Sequence, residues 1–406
     1  MSAPVRLTVA AAASAAGAKV HLPAGVSPAS LHAVITSVGI DSRKVAPGQL
    51  FVALAGERVD GHDFVADALA AGAAAAMVSR PVAATGPLLV VDDPYPALAR
   101  LAGAVRSLAD PDVVGITGST GKTSTKDLLA AVAAVRFSAL ASYRSENNEL
   151  GVPLTLLRAI GGPEVLICEL GARGPGQIAE LCGYVRPRIG VVTNVGRAHY
   201  ELFGSAAAIV AAKSELPASL PAAQAGGVAV LNADDPNAAA MAQLTQARVL
   251  TYGTSRRAWL RAESVTVDGL GRPTFRMIRG SGQVTVTLAV SGIHQVHNAL
   301  AAGAAGLVLG LTLDEVAEGL GRAQASPWRM EVTRTRAGGW GENPAEVVVV
   351  NDAYNANPAS VAAALETCAA MVPAGGRLVA VLGAMAELGA IEVTEHERVG
   401  VLAAKM

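Results

Sequence analysis

Seven consecutive residues carry the densest chemistry in the chain: Gly118, Ser119, Thr120, Gly121, Lys122, Thr123 and Ser124. They follow an apolar run, Val113 to Thr117, and open a helical pattern through Leu128 and Leu129. Glycines let backbone N–H groups approach phosphate oxygens, and a helix N-terminus adds the positive end of its dipole. Lys122 would neutralise the outer phosphates, and the Thr123 hydroxyl is suited to ligate Mg²⁺. The match to GxxxxGK[ST] is imperfect, because Ile116 stands where the first glycine belongs and Gly115 lies one place early. Strand before, helix after and the Gly-Lys-Thr core together imply a bound nucleoside triphosphate. Which phosphate chemistry follows is left open by the loop alone.

Glu169 ends another apolar run, Val165 to Cys168. That would set its carboxylate at the carboxyl edge of a parallel sheet, where α/β folds bind ligands. On its own a strand-end glutamate equally suits a salt bridge or a cap. Lys213 lies in an Ala-rich helical stretch, Ser205 to Leu216, and by itself reads as a solvated helix lysine. Asn357 and Pro358 have the order of a helix N-cap followed by its first residue.

The elements that must position these groups alternate short β-branched runs with longer helical stretches, the pattern of α/β layers. Strands are expected at Gly48 to Leu54, Ala76 to Val78, Leu88 to Val91 and Val113 to Thr117, then at Val165 to Cys168 and Ile189 to Thr193. Others are expected at Val228 to Leu231, Val284 to Leu288, Val347 to Val350 and Arg377 to Leu382. Helices fall at Ala10 to Ala18, Phe64 to Ala71, Ala97 to Leu108, Pro358 to Met371 and onward from Thr394, with Pro94 and Pro96 punctuating the exit from the first region. A chain of 406 residues exceeds one ordinary core. Three domains are expected, at 1–92, 93–326 and 327–406. Only two clear strands fall in the last, which is therefore expected to be an incomplete α/β domain.

Hydrophobic residues make up 51% and aromatics 3%, so cores rest on Val, Leu, Ile and Ala. A net charge of −1 with interspersed signs lacks the basic footprint of a nucleic-acid binder. The three cysteines, Cys168, Cys182 and Cys368, have neither zinc-site nor disulfide-framework spacing and suit a reducing, cytoplasmic setting. No run is apolar and long enough for a membrane span.

A longer series of motifs resembles the Mur ligases. It runs from Gly115 through Ser124 to Asn147, Asn148 and Gly151, then Glu169, Thr193 to Gly196, His199, Lys213 and Asn232 to Asp235. It continues through His297 and Asn298, then Trp328 to Glu331, and ends at Asp352 to Pro358. The stretches Ile40 to Arg43 and Asp60 to Phe64 extend the resemblance into the first region, so it covers essentially the whole chain. Asp352 to Pro358 is similar to the type that adds D-alanyl-D-alanine to UDP-N-acetylmuramoyl-tripeptide in peptidoglycan synthesis.

The resemblance implies an ATP-dependent carboxylate–amine ligase acting through an acyl phosphate. Its expected architecture is a UDP-substrate-binding first domain, a central P-loop domain with a parallel sheet, and a Rossmann-like third domain for the acceptor. It assigns Glu169 and His199 to Mg²⁺, and Lys213 to a carbamylated side chain that supports the metal. Asn298 is implied at the adenine, with Arg329 and Asp352 closing on ATP. Ser42, Arg43, Asn147, Asn148, Tyr354, Asn355 and Asn357 are implied as substrate contacts, and the chain as a monomer. Two alternatives stay open at this stage: a ligase adding the third amino acid of the peptide, and a non-catalytic nucleotide-binding module. Folylpolyglutamate synthetases share the core motifs without the first domain.

Overall fold

The computed structural model describes residues 4–196, 200–336 and 346–406. The chain divides into two units, each built from separated pieces of sequence. The first takes Met1–Val113, Phe137–Cys168 and Gly183–Val185; the second takes Val114–Arg136, Glu169–Cys182 and Arg186–Met406.

In the first unit a sheet runs Lys19–His21, Leu88–Val90, Ala75–Val78, Gln49–Val52, Ser37–Gly39. Its first pairing is antiparallel and the others are parallel. Gln49–Val52 and Ala75–Val78 are buried along their whole length, as parallel strands covered on both faces must be. Phe51, Ala53, Val65, Ala68, Ala76, Val78 and Leu88 form one core. Pro94 does not punctuate an exit. It is the first residue of the helix Pro94–Ala109, capped by the Asp93 side chain on Tyr95 N; a proline there loses no hydrogen bond and its fixed φ suits the first turn.

In the second unit the strands run Gly282–Thr287, Pro273–Arg279, Leu260–Val267, Arg248–Gly253, Val228–Asn232, Ile189–Val192, Asp112–Thr117. From Leu260–Val267 to Asp112–Thr117 all pairs are parallel. The pairs among Leu260–Val267, Pro273–Arg279 and Gly282–Thr287 are antiparallel. The expected parallel sheet is therefore extended by antiparallel strands, of which the first two were not foreseen. Gln295–Val308 packs on the sheet with most of its residues buried, which its small Ala and Gly side chains permit.

After Pro327, Glu331–Arg336 pairs antiparallel with Glu346–Asn351, and Pro358–Met371 and Glu392–Lys405 are helices. Leu365, Met385, Leu388 and Val399 share a core there. Arg377–Leu382, expected as a strand, has no strand assignment. Its apolar side chains do not pack, with Val381 94% exposed. An apolar run becomes a strand only when its backbone finds a ladder partner, and none pairs with it among the described residues. No helix of the described residues is long and apolar enough to cross a membrane.

Candidate active site

The phosphate loop leaves the carboxyl end of Asp112–Thr117 and enters the helix Lys122–Ala133. Two glycines make its path possible. Gly118 has φ +146°, and a Cβ there would fall on Thr193 Oγ1; Gly121 has φ +78° and would drive a Cβ onto Asn298 Oδ1. A neighbouring strand end braces the loop. Thr193 Oγ1 donates to Thr120 O at 2.6 Å, and Asn194 Oδ1 accepts from Thr120 N at 3.0 Å. The Thr193 carbonyl in turn accepts from Asn232 Nδ2 at 2.8 Å and Tyr252 Oη at 3.0 Å. Thr193 and Asn194 belong to the motif series, but their bracing role was not foreseen. Asn232 and Tyr252 could be assigned it only once their strands stood beside each other.

Within this frame Thr123 Oγ1 donates to Glu169 Oε2 at 2.8 Å, both residues buried. Lys122 Nζ donates to Gly118 O at 2.7 Å. Desolvation lowers the Lys122 pKa, Glu169 opposes that shift, and the Arg329 charge adds to it. Ser124 follows on the first turn of the same helix. Lys213 is not the solvated lysine that its helix alone suggests. It is 2% exposed, with Nζ 5.8 Å from the Phe203 ring centre. Burial first, then the nearby Lys122 charge, draws its pKa down to about 7, against the pull of Glu215. His199 lies outside the described residues.

Asn298 packs against the loop, with Nδ2 donating to Gln295 Oε1 at 2.8 Å and Oδ1 accepting from Thr125 Oγ1 at 3.4 Å. The Arg329 guanidinium lies 4.1 Å from the Tyr354 ring centre. Asp352 Oδ1 accepts from Met330 N at 2.9 Å, and burial raises its pKa. Asn355 Oδ1 accepts from Ala356 N. Asn357 caps Pro358–Met371, its Oδ1 accepting from Ala359 N and Ser360 N, so the helix-entry reading of this stretch holds.

Ser42, Arg43, Asn147 and Asn148 lie in the first unit. Arg43 forks onto Asp41 at 2.8 and 3.0 Å, and Asn148 Oδ1 accepts from Gly151 N at the start of Gly151–Leu157.

The hard oxygens of Thr123 and Glu169 suit a divalent cation that takes its remaining ligands from phosphates and water. No group of three or more His, Cys, Asp or Glu side chains placed to hold a metal ion occurs among the described residues.

A glycine-bounded loop between a parallel strand and a helix, with a lysine, a threonine and a buried carboxylate at its base, defines a P-loop nucleotide-dependent enzyme. Family descriptions narrow that class: "Mur ligase family, catalytic domain" matches residues 34–106, "Mur ligase middle domain" 116–306, and "Mur ligase, glutamate ligase domain" 328–406. The chain belongs to the Mur ligase family. It is 43% identical over 432 aligned positions to a UDP-N-acetylmuramoyl-tripeptide–D-alanyl-D-alanine ligase of Mycobacterium tuberculosis, covering 99% of this chain and 82% of the relative. A crystal structure of MurF from Acinetobacter baumannii is 30% identical with a TM-score of 0.85, covering 99% of this chain and 84% of the other. MurF ligase from Thermotoga maritima in complex with ADP gives 30% identity and a TM-score of 0.77, covering 91% and 82%.

Proposed function

We propose that this chain joins D-alanyl-D-alanine to UDP-N-acetylmuramoyl-tripeptide at the expense of ATP, in peptidoglycan precursor synthesis. The observation that carries the reading is the likeness to ligases of that name along 99% of the chain, with a phosphate loop and a buried carboxylate in its interior. ATP is the proposed nucleotide, as the ADP complex of the Thermotoga relative supports. The division into 1–92, 93–326 and 327–406 belongs to the same reading, as do a cytoplasmic location and a monomeric state.

In this reading the tripeptide's terminal carboxylate attacks the γ-phosphorus and ADP leaves. The dipeptide amine then attacks the resulting acyl phosphate, and phosphate departs from a tetrahedral intermediate. Gly118 to Ser124 supply N–H and hydroxyl donors to the phosphates, and Lys122 offsets charge that grows on the transferring group. Thr123 and Glu169, with His199 proposed beside them, would hold Mg²⁺, whose contribution is to neutralise phosphate charge. Lys213 suits carbamylation, because burial draws its amine down to about 7, so that a substantial fraction is the neutral base that combines with CO₂. The carbamate would replace a cation by an anion that supports the metal.

Asn298 is proposed at the adenine, and Arg329 and Asp352 at the nucleotide. Tyr354, Asn355, Asn357, Ser42, Arg43, Asn147 and Asn148 are proposed as substrate contacts. The test is phosphate release with a panel of UDP-muramoyl peptides and amine acceptors. Turnover should require the tripeptide and favour D-alanyl-D-alanine over single amino acids. Efficient addition of diaminopimelate or lysine to the shorter precursor would replace this reading with that of a third-residue ligase.

A further inference from the structure

Beside the phosphate loop lies a cavity of about 230 Å³. Its lining includes Ser119 and Thr120 of the loop, Pro358 and Ala359 of a helix start, and Glu395 and Arg398. The polar atoms of the loop and of the helix start are engaged locally. Thr120 N and Oγ1 lie on Asn194 Oδ1 at 3.0 and 3.1 Å, and Ser119 Oγ accepts from Gly196 N at 2.9 Å. The first N–H groups of Pro358–Met371 are taken by the Asn357 cap. Charged recognition in this cavity therefore falls to Glu395 and Arg398, the charged residues of its lining.

Both lie on the helix Glu392–Lys405. The Glu395 side chain is 3% exposed and that of Arg398 is 64% exposed, with Nε 3.5 Å from Oε2. A closed charge-assisted bond would measure about 2.7–2.9 Å. The buried carboxylate thus holds the guanidinium by charge on its Nε side, leaving its Nη donors able to take a planar anion. The volume is below the roughly 300–1,000 Å³ of pockets for drug-sized ligands, too small for a nucleotide and suited to one or two small residues. Pro358 and Ala359 present apolar surface on the scale of a methyl group.

We propose that Arg398 reads the C-terminal carboxylate of the acceptor dipeptide, with Glu395 as its positioning residue. The acceptor's amine end then points toward Ser119 and Thr120, the end of the cavity where phosphoryl chemistry is proposed, and its methyl groups lie on Pro358 and Ala359. This rests on the ligase reading above and deepens it, since neither residue belongs to the motif series that suggested that reading.

The experiment compares D-alanyl-D-alanine with its C-terminal amide in the full chain and in Arg398→Ala. The wild-type chain should prefer the dipeptide to its amide by roughly 10- to 100-fold in kcat/KM, the range of one charged hydrogen-bonded contact. Arg398→Ala should raise KM for the dipeptide by a similar factor, leave KM for ATP and for the amide unchanged, and keep most of kcat. Glu395→Gln should shift the same KM in the same direction by less. Arg398 is exposed, so its variant tests the idea even if Glu395→Gln folds poorly. A variant that retains the wild-type preference for dipeptide over amide overturns the proposal while the ligase reading stands. Failure of the wild-type chain to ligate either acceptor would instead sink the ligase reading, and this inference with it.

Discussion

Gly118→Ala should disable the phosphate loop, and the size of the effect follows from its surroundings. The added Cβ would overlap Thr193 Oγ1 and lie 3.1 Å from Asn194 O, on a backbone with φ +146°. Conformational strain for an L-residue on that side of the map costs about 1–2 kcal/mol, and forcing a methyl into filled space about 1–3 kcal/mol. The sum is about 2–5 kcal/mol. Thr193 cannot retreat freely, because its hydroxyl is bonded to Thr120 O at 2.6 Å and its carbonyl is held by Asn232 and Tyr252. The loop itself must move. At about 1.4 kcal/mol per tenfold, the lower bound is roughly a 30-fold rise in Kd for ATP, measured by calorimetry on the purified chain. Gly183→Ala is the control: it sits in the helix Gln177–Val185 with nothing within 4 Å of its Cβ, and should be neutral or stabilising by up to about 1 kcal/mol. Gly118→Ala combined with Thr193→Ala should be less impaired than the two single effects added together. Wild-type ATP affinity in Gly118→Ala, or strict additivity in the double variant, would refute the contact argument.

Lys122→Ala should abolish phosphate release while leaving the unfolding midpoint close to wild type; wild-type-like turnover would remove Lys122 from the mechanism. Lys213→Ala should lose activity and recover part of it with added short-chain carboxylic acids, which supply the missing anion, and the intact wild-type mass should carry one added CO₂; a free, uncarbamylated Lys213 in a fully active chain would count against it. Glu315 has its pKa lowered to about 2 by Thr312 N and the Arg136 guanidinium. The stability it contributes is therefore present above the ordinary glutamate value and lost as pH falls through about 2. Unfolding midpoints of Glu315→Gln should be less pH-dependent than wild type between about 4.5 and 2, and parallel curves would discard the assignment.

The phosphate loop was legible because strand end, glycines, lysine and helix start are contiguous, so their chemistry needs no distant partner. Asn357 and Pro358 were legible for the same reason. The run Arg377–Leu382 misled because its strand-like composition says nothing about whether another backbone lies alongside. Leu260–Val267 was missed because only its start is buried and most of the rest is exposed or half-buried, so its alternation is weak. Glu395 and Arg398 escaped notice because a Glu and an Arg three apart on a helix are ordinary; only the cavity beside them gives them meaning. Lys213 was ambiguous in sequence for the opposite reason: an Ala-rich helix does not reveal which of its faces is covered.

The interleaving of the two units along the chain has a consequence for synthesis. The loop's helix Lys122–Ala133 is followed by Phe137–Cys168, which belongs to the other unit. Thr125 on that helix meets Asn298 across a separation of 173 residues. At about 5–20 residues per second of elongation, the nucleotide-binding helix leaves the ribosome some 9 to 35 s before the helix that covers it exists. The first unit is complete at Val185, but the second, begun at Val114, waits for Arg186–Met406, so the apolar face of Lys122–Ala133 must be shielded in the interval. Nascent chains halted before Gln295 should accordingly be bound by chaperones and cleaved readily within 114–136, and released once Val308 has emerged.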